Sequence, residues 1–281
     1  MKKHVLFLIL PFLLTSCSVK KVEQTENMEE NVDYNKEEML IYQGETKIYG
    51  NLFSPLEFNK DIKKSIVIMS HSANCNSDTH LSYALRAIKE NYLAYTFDYP
   101  SGSNNSRSDS IEECTIFSEQ ETLTYIVNYF KTLDYIGNIY LFGTSQGGLV
   151  SSLVGDTLKD DISGLILFYP AFNIPELIVS MPYGISENYF EQLKGYDVYS
   201  HIGKFEKDVL IVHGSSDFIV NKKYSEQAAA LYTNCELHII EGANHGFNKE
   251  NFAFNNDYDE ISWNYVKTYL NNDKSNIFFT N

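Results

Sequence analysis

The sequence is short of positive charge, lacks any Cys-x-x-Cys pair, and has no apolar run long enough to cross a bilayer comfortably. Lys and Arg number 22 against 37 Asp and Glu, giving a formal net charge of −15. Nucleic-acid binding needs clustered cations to neutralise phosphates, so this balance argues against such a partner. Four cysteines without a close pair point to neither structural zinc nor thioredoxin-like chemistry, and no metal or cofactor is assigned. No repeat of solenoid length recurs. What the chain does have is apolar content: 43% hydrophobic and 14% aromatic over 281 residues, enough to bury a sizeable core.

The longest apolar stretch is Val5 to Leu14, broken only by Pro11 and preceded by the basic start Met1-Lys2-Lys3. It is too short for a comfortable transmembrane helix and has the shape of a secretory signal. It ends in Leu14-Thr15-Ser16-Cys17, which resembles a bacterial lipobox. That resemblance implies cleavage before Cys17 and a lipid on its thiol. The expectation is a signal peptide over 1–16 and an extracytoplasmic, bacterial membrane-anchored lipoprotein. The polar residues that follow show no apolar periodicity, so 17–37 reads as the lipidated Cys and a flexible tether. About 20 such residues reach roughly 25 Å, which clears the membrane surface. Cys75, Cys114 and Cys235 remain, an odd number; either Cys75 and Cys114 pair or all three are free.

From residue 38 onward, short β-branched or aromatic runs alternate with longer amphipathic stretches. Glu38–Gln43 and Lys47–Phe53 read as a hairpin turning at Gly44-Glu45. Strands are expected at 65–70, 93–99, 138–142, 164–169, 208–212 and 236–240. Helices are expected at 79–90, 118–133, 146–157, 222–232 and 258–270. The 118–133 helix carries Leu123, Ile126, Val127 and Phe130 on one face. This alternation means βαβ crossovers and an α/β fold: a mostly parallel central sheet with helices on both faces and an antiparallel hairpin at one edge. The domain is expected to span 38–272. Residues 173–207 exceed an ordinary crossover, are rich in Tyr, Pro, Met and Phe, and read as a small cap insertion.

Gly143-Thr144-Ser145-Gln146-Gly147 falls between a predicted strand and a predicted helix, the setting in which Gly-x-Ser-x-Gly forms a nucleophile elbow. The sharp turn needs glycine at 143 and 147, because a side chain at either would strike neighbouring backbone. A serine hydroxyl needs a base, and the base needs an acid to hold its tautomer. His245 follows the last predicted strand, and Asp217 follows the strand before it. Three residues in the order Ser145, Asp217, His245, each at the C-terminal end of a strand, form the expected triad. Glu176 is the alternative acid, and His71, His213 and His238 are the rival histidines. The backbone N–H of Gln146 and that of Ala73, with Ser72 as alternative, are the expected oxyanion donors.

Over residues 40–270 the chain resembles α/β-hydrolase esterases of the feruloyl/cinnamoyl esterase-like branch, which overlaps with serine-aminopeptidase-like and monoacylglycerol-lipase-like hydrolases. The resemblance rests on Met69-Ser70-His71-Ser72, Phe97-Asp98-Tyr99, Gly143–Gly148, Tyr169-Pro170-Ala171-Phe172, Val212–Asp217 and Gly242–Phe247. It implies the α/β-hydrolase fold, a small-molecule carboxylic ester as substrate, and no cofactor. Ser72 stands where this branch has glycine, and Pro100–Ser106 replaces its Gly-x-Gly-x-Ser segment. The alternatives are amide or acyl-glycerol hydrolysis by the same triad, or a surface ligand-binding lipoprotein whose hydrolase site is retired.

Overall fold

The computed structural model describes residues 33–272 apart from 101–104, 113, 177–188, 190–191 and 250. Cys17, the predicted signal segment and much of the predicted 173–207 cap therefore lie outside the described residues.

Ten strands are found among the described residues: β1 (Tyr34–Glu38), β2 (Ile41–Gln43), β3 (Thr46–Ile48), β4 (Gly50–Pro55), β5 (Lys64–Ser70), β6 (Leu93–Phe97), β7 (Ile136–Thr144), β8 (Gly164–Phe168), β9 (Val209–Gly214) and β10 (Cys235–Ile240). The α-helices among the described residues are α1 (Leu81–Lys89), α2 (Ile116–Lys131), α3 (Gln146–Thr157), α4 (Lys223–Ala229) and α5 (Asn256–Asn272). Eight strands form one sheet in the order β1-β4-β6-β5-β7-β8-β9-β10. From β6 to β10 every pairing is parallel, while β1–β4 and β4–β6 are antiparallel.

Side chains alternate across a strand, so each central strand supplies two cores. In β5, Ile66 and Ile68 pack with α2 and α3 on one face. Val67 and Met69 pack with Tyr83, Ala84, Ala87 and Ile88 of α1 and Trp263, Val266 and Leu270 of α5 on the other. β9 divides in the same way, Val209 and Ile211 against Leu210 and Val212. Burial on both faces is why these strands read as unbroken apolar runs. A capping box starts α2: the Thr115 side chain accepts from Ser118 N–H, and Ser118 Oγ accepts from Thr115 N–H.

Three expectations need correction. The opening hairpin is shorter than predicted, β2 with β3 alone, and forms a separate two-stranded sheet about Gly44. β4 leaves it to join the main sheet at Gly50, where a Cβ would lie 2.1 Å from the Tyr95 hydroxyl oxygen. The ordered domain also begins before residue 38, because β1 occupies the last part of the predicted tether. All five β1 residues are exposed, so backbone pairing with β4 holds the strand and no apolar pattern betrays it. Its charges suit an unprotected sheet edge. Cys114 and Cys235 are free thiols, so the Cys75–Cys114 pairing does not occur, and Cys75 is not a third free thiol.

Candidate active site

The turn between β7 and α3 holds Ser145 at φ 51°, ψ −116°, a region that L-residues occupy only under constraint. The constraint is visible. Ser145 N–H donates to Phe168 O at 2.9 Å, and Ser145 O accepts from Ala171 N–H at 2.9 Å. A Cβ on Gly143 would come within 2.3 Å of Gly147 O, and one on Gly147 within 2.1 Å of Ser70 O. Both glycines are therefore required, and the second lets the β5 end pack directly on the elbow.

Asp217 and His245 arrive on adjacent loops after β9 and β10. Gly214 permits this approach, since a Cβ there would lie 2.2 Å from Ala243 O. Ser216 N–H then donates to Ala243 O at 3.0 Å, tying one loop to the other. Gly246, at φ 73°, turns the chain just after His245.

These loops bring together all three triad residues. His245 Nδ1 lies 2.7 Å from Asp217 Oδ2, and His245 Nε2 lies 3.1 Å from Ser145 Oγ. Burial would raise the Asp217 carboxyl, but its electrostatic interaction with His245 and hydrogen bonds from His213 and His245 outweigh it. The net result holds Asp217 far below the usual carboxylate range, so it is an anion and accepts only. Nδ1 of His245 must therefore carry the proton, which leaves Nε2 to accept from the serine hydroxyl. The remaining oxygen, Asp217 Oδ1, accepts from Ile219 and Val220 N–H at 3.0 and 2.8 Å.

His213, a rival base in the sequence, stands instead behind the acid. Its Nε2 is 3.2 Å from Asp217 Oδ2 and 2.8 Å from Val220 O, and its Nδ1 is 2.7 Å from Ser225 Oγ. With two acceptors facing Nε2, the proton sits there, and Nδ1 accepts from Ser225. A polar side chain ending a fully buried strand must find such partners, and this was the signal for its role. His71 is committed to backbone: Tyr99 N–H donates to its Nε2 at 3.1 Å, and its Nδ1–H donates to Ser72 O at 2.8 Å. Burial depresses its pKa, consistent with that neutral form. His238 stacks on Tyr265 at 3.8 Å.

Gln146 opens α3, so its N–H has no acceptor within the helix. The 71–74 loop is brought to the elbow by the Gly147 contacts with Ser70 and His71 backbone. The left-handed residue in this loop is Asn74, at φ 57°, rather than Ser72. Ser72 thus replaces glycine without backbone strain, and its hydroxyl hydrogen-bonds Thr144 Oγ1 at 2.8 Å. Among the described residues, no group of three or more His, Cys, Asp or Glu could hold a metal ion.

The overall fold matches a large set of solved structures. Est1E from Butyrivibrio proteoclasticus, solved with ferulic acid bound, is 25% identical, covering 83% of this chain and 98% of its own, with a TM-score of 0.73. A predicted CIB-like hydrolase from Thermoplasma acidophilum is 19% identical, covering 85% of this chain and 100% of its own, at 0.61. The monoacylglycerol lipase of Paleococcus ferrophilus is 15% identical, covering 79% and 98%, at 0.60.

The chain has the α/β-hydrolase fold.

No family model matches this chain, and no curated protein sequence does either. Within the fold, Ser145, Asp217 and His245 follow the C-terminal ends of β7, β9 and β10.

Proposed function

We propose that this α/β-hydrolase cleaves carboxylic esters of small molecules through an acyl-enzyme. The observation that carries the reading is the continuous hydrogen-bonded line from Ser145 through His245 to an ionised Asp217. As Ser145 Oγ attacks the ester carbonyl, its proton passes to His245 Nε2, and Asp217 stabilises the imidazolium. The carbonyl oxygen becomes an oxyanion facing the N–H groups of Gln146 and Ala73. Collapse breaks the bond to the alcohol, which leaves with the proton from His245. Water, deprotonated by the same imidazole, attacks the acyl-enzyme; the acid departs and Ser145 regains its proton.

Ferulic acid in Est1E and the name of the Paleococcus enzyme support an ester over other acyl substrates. The signal-like segment and Leu14-Thr15-Ser16-Cys17 support a lipid anchor at Cys17, with the hydrolase domain displayed outside the cytoplasm. The test is hydrolysis of p-nitrophenyl esters of rising chain length and of methyl ferulate, with Ser145→Ala beside wild type. Wild-type turnover that vanishes in the variant, together with loss of fluorophosphonate labelling, is expected. Equal labelling of both proteins refutes Ser145 as nucleophile.

A further inference from the structure

The chemistry above uses Gln146 only through its backbone N–H. Its side chain is 1% exposed and ends on another buried group, the carboxyl of Glu119. Gln146 Nε2 lies 2.6 Å from both Glu119 oxygens. The Tyr189 hydroxyl donates to Oε2 at 3.3 Å, and the Cys114 thiol to Oε1 at 3.9 Å. Glu119 is itself 1% exposed, and none of the ion pairs among the described residues includes it. A buried carboxyl surrounded by neutral donors, without a cation, is costly to keep. Its place in the first turn of α2 offsets part of that cost, because the helix N-terminus favours negative charge. The helix terminus does not explain why the group is aimed at the residue after the nucleophile.

We propose that Glu119 is a positioning residue for the oxyanion donor: its carboxylate fixes the Gln146 side chain, and thereby the Gln146 N–H, while linking both to Tyr189 of the insertion after β8. This rests on the reading of Gln146 as an oxyanion donor. Donors are effective because they are already aimed when charge develops, and a small displacement weakens them. Among the described residues nothing else anchors the Gln146 amide: its Oε1 is buried without a hydrogen-bond partner.

That orphaned oxygen also makes the link sensitive to protonation. Burial pushes the Glu119 carboxyl up to about 7, against the opposing pull of the Gln146, Tyr189 and Cys114 hydrogen bonds. The titratable groups facing it are Cys114, Tyr189 and Tyr99, and burial raises all three away from neutrality. Glu119 is thus the member of this cluster that exchanges a proton near neutral pH. As a carboxylate it takes Nε2–H on both oxygens. As an acid it must donate, and a turned-over Gln146 amide offers Oε1 as acceptor and Nε2–H in return. The anion and the acid therefore hold Gln146 differently, as perturbed groups beside active sites often do.

The experiment compares kcat, KM and their pH profiles for wild type, Glu119→Gln and Gln146→Met, using the full chain and a p-nitrophenyl ester, with Ser145→Ala as control. Glu119→Gln is expected to lower kcat roughly 10- to 100-fold, short of outright donor removal, with KM within about twofold. It is also expected to erase one ionisation near neutrality from the kcat profile, which loss of packing alone would not do. Wild-type kcat with an unaltered profile overturns the proposal. If Glu119→Gln does not fold, Gln146→Met decides, because it cuts the same link and keeps the backbone N–H: an unchanged kcat and profile overturn, a lowered kcat lacking that ionisation supports. Activity surviving in Ser145→Ala would instead overturn the serine-hydrolase reading, a separate failure.

Discussion

Glu119→Gln removes a carboxyl that folding carries from water to a site with 1% exposure. The ordinary value for this group is 4.5, and burial lifts it to about 7. Below the ordinary value both folded and unfolded chains hold the proton, so the group exacts no penalty. As pH rises from 4.5 to 7, the unfolded chain releases its proton while the folded chain retains it, and stability falls. Above 7 both forms are ionised and the penalty is constant. At 1.36 kcal/mol per pH unit the gap amounts to about 3 kcal/mol. Gln fills nearly the same volume and carries no charge. The variant should therefore gain about 3 kcal/mol over wild type between acid and alkaline pH, equivalent to roughly 6–12 °C in melting temperature. Urea unfolding of both proteins at intervals from about pH 4.5 to 8.5 measures the difference directly, and titrations common to both chains cancel. A stability difference that stays flat across this range refutes the reasoning. The expected combination, a firmer fold with a slower enzyme, is the pattern of a group kept for function at the expense of stability.

His213→Ala deprives Asp217 Oδ2 of a donor without touching the serine, so kcat should fall about tenfold with KM nearly unchanged; steady-state kinetics giving wild-type kcat would remove His213 from the acid's support. Gly147→Ala places a Cβ against backbone that cannot yield, 2.1 Å from Ser70 O. Its denaturation midpoint should show a loss of more than about 2 kcal/mol, or no soluble protein should form. Cys17→Ser should move the protein from the detergent phase to the aqueous phase and abolish incorporation of labelled fatty acid; retention in the detergent phase would refute lipid attachment at Cys17.

Much of this architecture is legible in the chain because its signals are local. Continuous apolar runs such as 65–70 and 208–212 announce strands buried on both faces, and the stripe from Leu123 to Phe130 announces a helix lying on them. The triad is legible because strand ends of a parallel sheet converge on one side, so three polar residues following three strands are neighbours by topology. Gly143 and Gly147 mark a turn whose crowding is confirmed by backbone atoms within 2.3 Å of any added Cβ.

β1 escaped notice because an exposed edge strand needs only backbone partners, and those come from β4 in another stretch of sequence. Glu119 was hidden differently. It stands four residues before Leu123 on the same helical face as Ile126 and Phe130, yet among Glu112, Glu121 and other acids it resembles one more solvated charge. The sequence by itself determined which residues could act as nucleophile, acid and base, because strand order and loop position follow from local patterns. Only the tertiary structure decided that His213 lies against Asp217 and that Glu119 grips Gln146, the residue after Ser145. Those contacts join elements distant in sequence, and the desolvation that gives them their chemistry exists only once the sheet and both helix layers have closed.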